Sequence, residues 1–146
     1  FQESKIMNYA QIIAIVIAWG LTVPLALGFF KAGRFKLTAS SEVMVGAGLG
    51  WVSTTKLGNV RLIGFLEVLG AAGVVLAPIA SEFLGLGWAQ PFGALAAAGL
   101  ALTMVGAMIL HQKRGESQYT LKMNLTLLAN AVVVGVLLAI FGAPLF

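Results

Sequence analysis

The sequence predicts an all-α integral membrane protein, an antiparallel four-helix bundle with a short interfacial helix in its first link. Three observations carry that expectation. Of 146 residues, 60% are hydrophobic and 10% charged, with a mean hydropathy of +0.98. An ordinary soluble domain is about 45–50% apolar and about 25% charged, so this chain lacks the polar residues to cover a water-facing surface. The same numbers exclude disorder, which needs a polar, charge-rich chain. The apolar residues also fall into four runs, each near the ~20 residues that cross a hydrocarbon core of about 30 Å. Finally, the basic residues gather between those runs, as in loops that mark one side of a membrane.

The first run, Ile6 to Phe30, holds no charge between Lys5 and Lys31 and predicts a span over about residues 8–30. It exceeds the roughly 7–15 residues of a signal-peptide core. Pro24 lies within it, which membrane helices tolerate. Phe1-Gln2 ahead of Met7 reads as a non-native extension, so residues 1–6 carry no functional weight and the domain is taken as 7–146. The first link, 31–59, is the longest. Within it Ser40-Ser41-Glu42 suits a helix start, because a serine hydroxyl caps orphan N–H groups. Val43 through Val52 is apolar enough to lie in the interface, with Trp51 at the membrane–water boundary. The second span, 60–83, carries Arg61 and Glu67. The third, 91–110, and the fourth, 121–141, carry only Lys122 near an end. The links 84–90 and 111–120 are short enough to force antiparallel neighbours.

With four spans, the first and third links share a side. Lys31, Arg34, Lys36, Lys56, Arg61, Lys113, Arg114 and Lys122 fall there, against Lys5 alone on the other side. The positive-inside rule then predicts a cell-membrane protein with both termini outside and the first and third links cytoplasmic. The net charge of +4 is therefore a topology signal. No basic helix face with interleaved aromatics suggests nucleic acid.

Membrane helices associate by close packing and a few hydrogen bonds. Gly64 with Ala71, Gly99 with Thr103 and Gly106, and Ala131 with Gly135 form small-residue faces that suit a tight bundle or a homodimer contact. Ionisable groups at depth demand a reason, since a central charge costs roughly 2.5–3.5 kcal/mol on insertion scales. At about 1.5 Å per residue, Glu67 lies about 10 Å from the start of its span. Thr103, about 12 Å deep by the same rise, Asn130 and Thr22 fall in one layer with it, one polar residue per helix. Arg61, His111 and Asn124 stand nearer the cytoplasmic mouth. Three readings of this layer remain open: hydrogen bonds from Asn130 and Thr103 that fix helix register, a ligand or quinone pocket, or a proton path. Arg61 reads as a snorkelling anchor, because six residues separate it from Glu67 around the helix.

The inventory removes several chemistries. With no Cys, dithiol redox and thiolate metal sites are excluded. One His leaves no bis-imidazole haem and no His-rich metal site, and a His/Met-ligated haem has no supporting pattern; no phosphate loop, His-Glu-x-x-His or serine-nucleophile signature occurs. A self-contained enzyme is not indicated.

The wording of the second span carries a resemblance. Val60–Ala71 with Pro78 after it resembles the second-helix signature of the DoxX-like family. Lys36-Leu37-Thr38 and Gly48–Val52 resemble the run-up to it, Pro91–Glu116 resembles the third helix and its exit, and Asn124 fits the opening of the fourth. The likeness spans roughly residues 9–140 and implies a four-helix membrane protein. Some members of that family are membrane subunits of oxidoreductases, including a thiosulfate:quinone oxidoreductase. Others associate with redox-defence enzymes, and an animal branch assists assembly of receptor channels. The motif positions carried over are Arg61, Glu67, His111 and Asn124.

The resulting expectation is a small accessory subunit of a membrane oxidoreductase system. No cofactor is covalently bound, a quinone is the candidate ligand, and Arg61, Glu67, Thr103, His111, Asn124 and Asn130 are the candidate site residues. The alternatives are a non-catalytic assembly factor that binds other membrane proteins through its small-residue faces, or a binder of lipid or apolar solute.

Overall fold

The structure, a computed structural model, describes residues 9–141, with backbone alone at Gln11, Ser117–Tyr119 and Phe141. Segment 1–6, including Lys5, lies outside the described residues. Four long helices, α1 (Tyr9–Thr38), α3 (Leu57–Phe83), α4 (Gln90–Lys113) and α5 (Ser117–Phe141), form the protein. A short α2 (Ser41–Gly46) and two 3-10 turns, Gly50–Thr54 and Gly87–Ala89, fill the links. Each long helix is apolar and long enough to cross a membrane, and among the described residues there is no strand. The chain is an all-α membrane bundle.

One boundary differs from expectation in a way that matters. The first helix continues past residue 30, through Lys31, Arg34 and Lys36, to Thr38. A charged residue ends a lipid-facing apolar run, but Lys and Arg are good helix formers and do not end a hydrogen-bond ladder. The helix stops where Ser40 turns extended, with φ −72° and ψ 161°, and its hydroxyl accepts from the Val43 N–H at 3.3 Å to start α2. The third helix likewise runs on to Lys113, leaving only Arg114–Glu116 before α5.

The interfacial segment is also shorter than its apolar run. α2 ends at Gly46, and the 3-10 turn carries Trp51 and Val52 inward onto Met44 and Val60. Trp51 is only 6% exposed, so its ring faces the bundle and packs against the residues of the link end. Trp88 remains exposed, edge-on to Phe92 with ring centroids 5.8 Å apart.

Helix α1 packs on α3, α3 on α4 and α4 on α5, and the thinner α1–α5 contact closes the ring. Leu25, Phe29, Val74, Leu100, Val134 and Leu138 fill the core. Large apolar side chains such as Val16, Leu62, Phe65, Leu102 and Ile140 cover the outer faces, as a lipid-facing surface requires. The small residues divide into two groups. Gly64 and Gly135 are used inside the bundle, where an added Cβ would lie 2.7 Å from the Gly33 oxygen and 3.3 Å from the Ala97 Cβ. Gly99 and Gly106 instead have nothing within 4 Å of that position; within the chain this α4 face borders open space.

Candidate functional site

Glu67 is buried, 2% exposed, and its partner comes from α1. Lys36 Nζ donates to Glu67 Oε1 at 2.9 Å and to Oε2 at 2.7 Å. Two glycines make the meeting possible. Gly33 and Gly64 bring the backbones so close that a Cβ at Gly33 would lie 2.5 Å from the Gly64 oxygen. Lys36 stands three residues after Gly33 and Glu67 three after Gly64, one helical step on the same face in each case. The close approach therefore sets the two charges side by side. Desolvating both ions is costly, and their attraction offsets this only when the geometry is good and both are held. A doubly engaged carboxylate meets that requirement.

Arg61 braces the same corner. Its guanidinium donates to the carbonyl oxygens of Lys36 and of Ala39, the latter at 2.8 Å. These carbonyls belong to the end of α1, whose last turn has no intrahelical donors for them, and a cation there also complements the helix dipole. Arg61 is thus a cap for α1. It holds the backbone that carries Lys36.

Across the bundle, Gly115 takes φ +71°, a left-handed turn that only glycine adopts readily. The chain doubles back and the Glu116 N–H bonds the His111 carbonyl at 2.9 Å. Glu116 Oε2 then lies 3.0 Å from His111 Nδ1, and Oε1 accepts from Arg114 Nε at 3.0 Å. The hydrogen bond from Arg114, then that from His111, holds the Glu116 carboxyl below the usual carboxylate range. An ionised carboxylate only accepts, so Nδ1 carries the proton and Nε2 is left as the ring nitrogen open to a ligand.

Between these two clusters lies a cavity of about 1090 Å³, walled by all four long helices and by the link residues Leu49 and Trp51. Its lining is largely apolar, with Phe29, Ile63, Met104, Leu110 and Leu127 among the wall residues. Polar groups are few: the Lys36–Glu67 pair, Thr103, His111, Lys122, Asn124 and Thr126. Asn124 is 3% exposed and its Nδ2 has no hydrogen-bond partner. A buried amide donor without an acceptor is costly, and Asn124 is among the residues that line the cavity.

Of the six candidate residues, Glu67, Thr103, His111 and Asn124 line this cavity, while Arg61 and Asn130 do not. The expected polar layer does not assemble. The Thr103 hydroxyl bonds the Gly99 carbonyl of its own helix and Thr22 bonds that of Ala18. Asn130 Nδ2 reaches the Leu21 carbonyl at 3.1 Å and ties α5 to α1. Depth along a helix axis says nothing about rotation, and the α1 end used to set depth was displaced by eight residues. Lys36, the partner that counts, was missed because it was read as a link charge. The repeated Gly-x-x-ionisable spacing in Gly33/Lys36 and Gly64/Glu67 is the signal that could have found it.

The chain was also compared with known proteins. The model of the DoxX-like family matches residues 20–141. Searches of curated proteins and of solved structures returned no match. The family match covers α3, α4 and α5 entirely and α1 from residue 20 onward, so it includes both halves of the ion pair and every lining group of the cavity. The chain is a member of the DoxX-like family.

Proposed function

We propose that this membrane protein is an accessory subunit of an oxidoreductase system and that its cavity takes the headgroup of a lipid-soluble quinone. The observation that carries the reading is the unpartnered Asn124 amide, set in an apolar wall beside an ion pair and a histidine. Ligand pockets have this make-up: apolar walls with a few convergent polar groups that fix orientation. A quinone carbonyl oxygen is an acceptor without a donor, which suits Asn124 Nδ2. When bound, a quinone supplies reversible uptake of electrons and protons. The chain's own residues bind and orient. Asn124 offers a donor, His111 Nε2 a site that can hold or release a proton, and Trp51 with Leu49 shields the site from water. The chain has no Cys and brings no dithiol, so electrons come from a partner subunit. Positive-inside bias argues for a cytoplasmic side to the first and third links, and so to Leu49 and Trp51, which line the cavity. Lys36 is withdrawn into the ion pair, but the other basic residues of those links keep that bias.

Trp51 lines the cavity and can report on it. In a Trp19→Phe/Trp88→Phe background, titration with decylubiquinone is expected to quench Trp51 saturably. Asn124→Leu should weaken that binding by about tenfold, the loss of one good hydrogen bond. Linear, unsaturable quenching, or equal affinity in both proteins, would contradict the reading.

A further inference from the structure

A second, smaller void of about 480 Å³ runs between α3 and α4. Apart from Thr103, its walls are apolar or glycine, among them Leu69, Gly73, Leu95 and Gly99. Leu66 and Thr103 border both this groove and the large cavity, so the two spaces meet at those side chains. Along α4, Gly106 lines the cavity, Thr103 both spaces and Gly99 the groove. These residues lie three and four apart on one helical face, the face whose glycines have nothing packed against them. The small-residue face of α4 thus borders both spaces in turn, from the cavity that Asn124 also lines to a groove with no further polar side chain.

We propose that the α3–α4 groove is a tail subsite, so that the protein selects amphiphiles with a hydrogen-bond-accepting head and one long apolar tail. The proposal rests on the headgroup reading above and adds to it the route and the tail. The head sits in the cavity; the tail passes Leu66 and Thr103 and leaves sideways over Gly99 into the hydrocarbon core. Because lipid is as apolar as the groove, the tail gains packing and fixed orientation there, not transfer from water.

Gly99 allows a clean test. A Cβ there meets nothing within 4 Å, whereas one at Gly70 would lie 2.6 Å from Leu100 Cδ2 and one at Gly73 2.7 Å from Ala96 Cβ. Gly99→Leu therefore fills the groove without breaking the helix contact. The control is Ala98→Leu, on an exposed neighbour that lines neither space. Binding of the bare ubiquinone headgroup and of decylubiquinone would be followed by Trp51 quenching in nanodiscs, with affinities expressed per mole fraction in the lipid. Gly99→Leu should weaken the decyl compound by about tenfold and leave the bare headgroup unchanged, and Ala98→Leu should change neither. Unchanged decyl affinity in Gly99→Leu, as expected if bilayer acyl chains alone occupy the groove, overturns the tail subsite while the headgroup site stands. Equal loss of both probes also overturns it. A wild type that binds neither probe removes the headgroup reading itself.

Discussion

At the scale of single residues, the Lys36–Glu67 pair decides most. Removing one partner of a buried pair leaves the other as an uncompensated charge, which typically costs 3–5 kcal/mol, whereas replacing both with apolar groups of similar volume is near neutral. Lys36→Met alone is therefore expected to destabilise by roughly that amount, and Lys36→Met/Glu67→Leu to recover most of it, read as thermal unfolding in detergent. A double variant as unstable as the single would mean that the charges serve something other than each other. Glu116 makes a prediction in pH. Its pKa is held low in the folded protein by Arg114 and then His111, so its contribution is present above the ordinary carboxylate pKa. That contribution is lost as pH falls through the depressed value. The protection of the Arg114–Glu116 amides, relative to their intrinsic exchange at each pH, should fall on acidification through that range, and Glu116→Gln should show low protection at all pH values. A flat wild-type profile would contradict the cluster.

At the scale of elements, two glycines set how near α1 and α3 can come. Gly64→Ala puts a methyl 2.7 Å from the Gly33 oxygen and 2.8 Å from the Lys36 Cβ, so the helices must part and the ion pair stretches. Overpacking of this kind costs about 1–3 kcal/mol. Gly58→Ala, in the first turn of α3 with open space around it, should instead be neutral or stabilising, by up to about 1 kcal/mol from helix propensity. Equal unfolding temperatures for the two alanines would remove the close-approach argument. The same elements show what a sequence can and cannot disclose. The four spans were legible because a lipid-facing helix must be apolar over a bilayer's thickness, a property of composition. The helix ends were not, because charge marks where lipid ends and Lys31, Arg34 and Lys36 continue the ladder beyond it. The Ser40 cap was legible, being a local hydrogen bond. The Lys36–Glu67 contact depends on helix rotation and on a glycine approach between elements 31 residues apart, and neither appears in a hydropathy pattern.

At the scale of the molecule, the bundle is a container. Its four helices pack at the core around Val74, Leu100 and Val134 and, with Leu49 and Trp51, wall the cavity. Glu67, Thr103, His111 and Asn124 were nominated from sequence and do border that space, because polar side chains in apolar spans have few places to go. Asn130 and Arg61 instead serve the fold, and Lys36 joins the site. Of the small-residue faces on which the assembly-factor alternative relied, Gly64 and Gly135 make contacts internal to the chain, whereas Gly99 and Gly106 have nothing packed against them. The most direct test is native mass spectrometry of the protein in nanodiscs drawn from its own membranes, compared with Gly106→Phe, which fills the cavity from a position with free space around it. The wild type is expected to retain a mass equal to an isoprenoid quinone and the variant to lose it. A wild type that carries only phospholipid, or a variant that keeps the quinone, would contradict the assignment of this cavity.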